Sequence, residues 1–230
     1  MQKMISKKII VALDSNNLNR SLELVKKLKK DVYAFKIGYQ FFFNFGLAGY
    51  KKIYTIYPKI FLDLKLHDIP NTVKNGLMAL NKIKPIFTTI HISGGDDMMQ
   101  SSKIKNKFTK VLGVSILTSM DNKQVKKYYN QNTVSLLVKK FVKAAKMNGL
   151  DGIVCSAKEI KDIRKEVGKD FIIVTPGIRI NSKIKNDDQK RVETPRRAID
   201  LGANYLVIGR PITESKDPLK VLREINKSLS

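Results

Sequence analysis

The stretch Phe61-Leu62-Asp63-Leu64-Lys65-Leu66-His67-Asp68-Ile69-Pro70-Asn71-Thr72 concentrates charge against hydrophobicity. Its approach, Lys59-Ile60-Phe61-Leu62, reads as a buried strand. Asp63, Lys65 and Asp68 arrive at the strand's end, before Pro70 opens a helix. Side chains two apart on a strand share a face, so Asp63 and Lys65 point toward one enclosure. A core accepts two such charges only when they are paired. A structural ion pair at a strand end meets that condition as well as a catalytic one does, so the stretch alone leaves the choice open.

Upstream, residues 8–13 read as a strand ending at Asp14. Leu18, Leu22, Val25 and Leu28 then recur at helical spacing. Residues 32–35 form a second strand ending at Lys36 and Gly38, and 39–57 are mostly helical with a break near Gly46. Downstream, a helix over 70–83 precedes a strand over 85–92 that ends at His91 and Gly94-Gly95, and Asp96 starts a short helix. Residues 109–117 form the fifth strand, closing on Thr118-Ser119. A polar loop through Gln131-Asn132 leads to a helix over 134–148, capped by Gly149. Strand six covers 152–155, its helix 157–167, and strand seven 171–174, ending at Thr175-Pro176-Gly177. A long polar loop, 178–193, precedes a helix opened by Thr194-Pro195 and stopped by Gly202. Residues 205–208 form strand eight, ending at Gly209-Arg210, and Asp217-Pro218 opens the last helix.

Eight strand-then-helix units, with near-continuous apolar strands and no low-complexity linker, predict one domain over residues 1–230. The fold expected is an α/β (β/α)₈ TIM barrel, with a doubly wound open sheet as the alternative. The 230 residues suffice for such a barrel. The apolar run Ile9–Leu13 is too short for a signal peptide, and no stretch approaches the ~20 apolar residues of a membrane span. The single cysteine, Cys155, excludes an internal disulfide framework and reads as buried filler in strand six, which fits a cytoplasmic location. The formal net charge of +24 raises nucleic-acid binding. The lysines are dispersed through the chain rather than gathered in one motif, so solvated helix faces are the preferred reading. The same positive field would favour anionic small substrates.

In such barrels the site lies at the C-terminal strand ends. Those ends are Asp14, Lys36, Asp63, Lys65, His91, Thr118, Pro176-Gly177 and Gly209-Arg210, with alternating charges Lys36–Asp63–Lys65–Asp68 converging on one mouth. Gly209-Arg210 follows strand eight, where backbone amides and a guanidinium suit a phosphate. Arg179 and Gln189, in the seventh loop, can fold over the same anion. His67 and His91 share no metal-ligand spacing and read as hydrogen-bonded structural groups. No nucleotide-cofactor motif occurs.

These residues together resemble the orotidine 5′-phosphate decarboxylase family. The carriers are the segment Asp63 to Thr72 with, in order around it, Asp14, Lys36, Leu117-Thr118-Ser119, Thr175-Pro176-Gly177-Ile178-Arg179, Asp188-Gln189 and Gly209-Arg210-Pro211-Ile212-Thr213. The resemblance covers essentially the whole chain. It implies a homodimeric barrel converting orotidine 5′-monophosphate to uridine 5′-monophosphate and CO₂ without cofactor or metal. It further implies that Lys65 protonates C6, that Asp63 sits against the departing carboxylate, that Lys36 bridges Asp63 and the ribose, and that Asp14 binds a ribose hydroxyl. Asp68 and Thr72 would reach into the neighbouring subunit's site, with Ile69 beside them among the substrate-binding residues. Thr118 would touch the pyrimidine, and Arg179, Gln189, Gly209 and Arg210 would serve the phosphate. The resemblance departs in the seventh loop, where Ile180 replaces a usual proline and 181–188 lack the customary glycine.

Three rival readings are weighed against it. Magnesium-dependent sugar-phosphate decarboxylases and hexulose-phosphate synthases of the same superfamily carry an acid at the end of strand two, where this chain has Lys36. A Schiff-base aldolase needs a lysine of depressed pKa, which two adjacent carboxylates oppose. A basic RNA-binding protein would leave the strand-end constellation unexplained.

Overall fold

A computed structural model describes residues 7–104, 108–179 and 193–229. The strands are β1 (Ile9–Ala12), β2 (Ala34–Ile37), β3 (Ile60–Leu66), β4 (Phe87–His91), β5 (Lys110–Val114), β6 (Gly152–Val154), β7 (Ile172–Thr175) and β8 (Tyr205–Ile208). The helices are α1 (Leu18–Leu28), α2 (Tyr39–Ile56), α3 (Pro70–Ala79), α4 (Asp96–Ser101), α5 (Asn122–Tyr129), α6 (Val134–Met147), α7 (Ile160–Val167), α8 (Pro195–Asp200), α9 (Arg210–Thr213) and α10 (Pro218–Ser228). The strands pair in sequence order, all parallel, and β8 returns to β1, which closes the barrel. The fold expectation therefore holds, and the open-sheet alternative does not.

Two apolar layers hold this arrangement. Ile10, Ala12, Ala34, Phe61, Phe87, Leu112, Val174 and Val207 fill the interior. A second set, including Val11, Phe35, Ile37, Leu62 and Ile153, packs outward against the helices. Burial on both faces explains why the strands read as apolar runs rather than alternations. Tyr33 and Tyr205, just before β2 and at the start of β8, stack at 4.0 Å, and Phe87 lies 6.1 Å from Tyr33. These rings close the N-terminal end of the barrel, leaving the C-terminal end as the open one.

Local chemistry sets the helix limits. Asn17, Asp121, Thr133, Thr194 and Asp217 each accept a backbone N–H as N-caps. Pro195 and Pro218 occupy first turns, and Gly149 and Gly202 take positive φ just past helix ends, as the sequence predicts. The break in α2 is at Gly46, with φ 52°. Three readings need correction. The loop expected before α6 contains α5, whose one buried residue is Val125. The second strand lies later than 32–35, so Lys36 sits within β2 rather than beyond it. The fifth strand ends at Val114, not at 117, where Ser115 turns to donate its hydroxyl to the Val154 carbonyl.

Candidate active site

At the C-terminal mouth lies a cavity of about 480 Å³, a size suited to a small-molecule ligand. Asp14, Lys36, Asp63 and Lys65 line it from the β1–β3 side, and Thr118 lines it after β5. Gly177, Arg179, Gly209 and Arg210 line it from the β7–β8 side. In a closed eight-strand order, β3 and β7 face each other across the axis. The cavity thus has a wall of mixed charge and, opposite, a wall that carries Arg179, Arg210 and the carboxylate of Glu214 and is interrupted by glycine.

The mixed wall is one continuous ion chain. Lys36 Nζ lies 3.2 Å from Asp14 Oδ1 and 3.6 Å from Asp63 Oδ2, and Lys65 Nζ lies 2.9 Å from the same Asp63 oxygen. Gly38 makes room for it, since a Cβ there would stand 2.9 Å from Lys36 Nζ. The Lys36 and Asp63 side chains are 12% and 10% exposed. Removing either partner would strand a buried charge, at a cost of roughly 3–5 kcal/mol. Burial pushes the Asp63 carboxyl up, but the ammoniums of Lys36 and Lys65 and hydrogen bonds from Lys65 and Thr89 outweigh it. Asp63 is held below the usual carboxylate range. Burial likewise pulls Lys36 down, and Asp63 and Asp14 overcome it, so its pKa is raised. Both groups stay charged at neutral pH.

The backbone beneath Lys65 is irregular. From Leu62 to Leu66, β3 takes four residue steps while β4 takes two, from Thr88 to Ile90. Lys65 sits at φ 45°, a left-handed conformation that costs a non-glycine residue about 1–2 kcal/mol. Asp63 and Lys65 do meet, as expected, but across a bulge rather than through regular alternation. Thr89, opposite the bulge and fully buried, accepts from Lys65 N and donates to Asp63 Oδ1, both at 2.9 Å. The Tyr39 hydroxyl donates to Leu64 O at 3.1 Å, and its ring lies 5.5 Å from Lys65 Nζ.

Several sequence candidates lie elsewhere. Asp68, Ile69 and Thr72 are exposed and outside the cavity lining, with Asp68 Oδ1 accepting from Ile69 N at 2.7 Å. Among the described residues the carboxylate on Lys65 is that of Asp63, so within one chain the charge sequence is Asp14–Lys36–Asp63–Lys65 and omits Asp68. Gln189 lies outside the described residues. His67 and His91 were expected to be hydrogen-bonded, but they contact each other instead, ring centroids 5.1 Å apart. Cys155 is buried, as expected, though just beyond β6, where it lines the cavity. Sequence reasoning missed Tyr39, Gln40, Thr89 and Glu214. Gln40 and Glu214 line the cavity from helix ends, where no strand-end pattern points to them. Among the described residues no group of three or more His, Cys, Asp or Glu could hold a metal ion.

Residues 7–225 match the family described as orotidine 5′-phosphate decarboxylase / HUMPS. The orotidine 5′-phosphate decarboxylase of a Wolbachia species from Brugia malayi is 44% identical over 224 residues, covering 96% of this chain and 99% of that one. Its counterpart from Pseudoalteromonas translucida is 42% identical, covering 97% of both chains. The crystal structure of orotidine 5′-phosphate decarboxylase from Lactobacillus acidophilus superimposes with a TM-score of 0.84 at 36% identity, covering 98% of this chain and all of that one.

Proposed function

The chain belongs to the orotidine 5′-phosphate decarboxylase / HUMPS family, and from that premise we propose how its site converts orotidine 5′-monophosphate to uridine 5′-monophosphate and CO₂ in pyrimidine biosynthesis. The observation that carries the assignment of roles is the Asp14–Lys36–Asp63–Lys65 ion chain on one wall of the cavity. The C6–carboxylate bond breaks, its electron pair stays on C6, and the Lys65 ammonium delivers the proton that makes uridine. A fixed cation beside C6 stabilises the developing charge before it transfers the proton. Asp63 keeps the ammonium in place and faces the departing carboxylate. Lys36 joins Asp63 to the ribose, and Asp14 takes a ribose hydroxyl. Thr118 contacts the pyrimidine. Gly209, Arg210 and Arg179, together with Gln189, bind the phosphate on the far wall, and that remote binding energy helps to order the reacting end.

The active unit is a homodimer with shared sites. Phe43 on α2 is 77% exposed and Ile69, ahead of α3, is 67% exposed. Large apolar side chains left open beside a site fit a covering partner. Asp68 and Thr72, off their own cavity, then serve the neighbour's. No cofactor or metal enters the scheme: Lys36 stands where the magnesium-dependent branch needs an acid. Nucleic acid has no role in this reading, because the lysines are dispersed through the chain rather than gathered in one motif. Among the described residues no helix is long and apolar enough to cross a membrane, and a single cysteine, the buried Cys155, suits the cytoplasm.

The test mixes purified protein with orotidine 5′-monophosphate and follows loss of the orotate chromophore, with and without EDTA. Turnover should be the same in both. Activity that disappears in EDTA and returns with magnesium would move the chain to the sugar-phosphate branch.

A further inference from the structure

The β3 bulge puts the peptide unit between Leu64 and Lys65 in the hands of two side chains from flanking elements. Its N–H goes to Thr89 Oγ1 of β4, and its C=O accepts from Tyr39 Oη at the start of α2. The Thr89 hydroxyl has its roles forced upon it. An amide can only donate and a carboxylate only accept, so the hydroxyl proton must point at Asp63 Oδ1 while a lone pair receives Lys65 N–H. That leaves Asp63 Oδ2 for Lys65 Nζ and Lys36 Nζ. One buried hydroxyl thereby sets both the backbone of the lysine and the orientation of its carboxylate partner.

We propose that Thr89, seconded by Tyr39, is a positioning residue that clamps the Leu64–Lys65 peptide in its left-handed form and so aims the Lys65 ammonium along the cavity wall. The kinetic consequence rests on the decarboxylase reading above; the clamp itself does not. Valine matches the shape of threonine but strands a buried amide and a carboxylate oxygen together. Serine keeps the hydroxyl. Phenylalanine at position 39 removes only the Tyr39 hydroxyl and leaves the ring beside Lys65.

The experiment compares Thr89→Val, Thr89→Ser and Tyr39→Phe with the unaltered protein in steady-state kinetics and amide hydrogen exchange. Thr89→Val should lower kcat by ~10–100-fold, as small misplacements of a reacting group do. KM should be little changed, because the phosphate wall on β7 and β8 is untouched. Thr89→Ser should recover kcat to within ~3-fold, and Tyr39→Phe should lose ~3–10-fold in kcat. Exchange at the Lys65 amide should accelerate in Thr89→Val more than at Phe61 or Leu112, and not in Thr89→Ser. A merely structural threonine would speed all these amides together and would lower kcat only in step with the folded fraction; either result overturns the proposal. If the unaltered protein does not consume orotidine 5′-monophosphate, the functional reading fails and the exchange comparison still decides the clamp. Should Thr89→Val not fold, Tyr39→Phe decides alone, and unchanged kcat with unchanged Lys65 exchange overturns the proposal.

Discussion

Arg210 illustrates what a single residue contributes through position. It opens α9 directly after Gly209, so its charge stands at the end of β8, across the cavity from Lys65. With the phosphate bound there, as proposed, its contact is remote from Lys65, so losing the guanidinium should weaken use of the phosphorylated substrate without touching proton transfer. Arg210→Ala should lower kcat/KM for orotidine 5′-monophosphate by about 10–150-fold, the equivalent of about 1.5–3 kcal/mol for a charge-assisted hydrogen bond. Orotidine without its phosphate should be used equally poorly by both proteins. An equal loss on the nucleoside would make Arg210 structural. Charged residues just past strand ends, such as Arg210 and Asp14, were legible in the sequence, because an apolar run interrupted by charge marks its own end; Lys36 was legible by its charge too, although it sits within β2. Thr89 was not. A threonine inside Phe87-Thr88-Thr89-Ile90 looks like ordinary strand filler, and only the bulge opposite gives its hydroxyl two partners.

At the scale of elements, the ends of β3 and β4 are joined by the His67–His91 contact. Burial, with the nearby charges of His67 and Lys65, pushes His91 down to about 4, against a small opposing pull from Asp63. The unfolded chain therefore takes up a proton near its ordinary value of about 6.5, while the folded chain resists until about 4. Stability from this group is complete above about pH 6.5 and is lost progressively as pH falls toward about 4. Partial solvent access discounts the effect to on the order of 1–2 kcal/mol. Denaturant melts at pH 7 and pH 4.5 should show a smaller loss for His91→Gln than for the unaltered protein; parallel losses would show that His91 carries no linkage. The same scale explains what was hard to read. β8 was found to the residue because Tyr205–Ile208 is flanked by Asn204 and Gly209. α5 was missed because Asn-Lys-Gln-Val-Lys-Lys-Tyr-Tyr buries only Val125, leaving almost no apolar face to give a helical period. The β3 bulge was invisible for a different reason: Leu64-Lys65-Leu66 satisfies the alternation of a regular strand, and nothing local signals a left-handed lysine.

At the scale of the whole molecule, the described residues of one chain supply Lys65 with one carboxylate, that of Asp63, while Asp68 points its own at the Ile69 amide. If a second chain brings Asp68 to Lys65, the site is complete only in the dimer, and the two residues can be separated genetically. Lys65→Ala and Asp68→Ala should each be nearly inactive, the first without its proton donor and the second without the partner's carboxylate. In a mixed dimer one site loses both residues and the other keeps both. Random exchange of equal amounts makes half the dimers mixed, each with one of two sites working, so roughly a quarter of the unaltered activity should return for independent sites. Native mass measurement establishes that exchange has taken place. If Asp68 instead swings onto Lys65 of its own chain, every site in the mixture carries one lesion, and verified mixed dimers stay inactive. That outcome would falsify the shared site while leaving the single-chain ion network, and the chemistry built on it, intact. The exposed apolar side chains make a second requirement of the same assembly. Phe43→Glu should shift the protein toward monomer at micromolar concentration and lower activity in proportion to the monomer fraction, because a buried unpaired carboxylate is costly at an interface. Activity that survives in demonstrated monomers would place all the necessary groups within one chain.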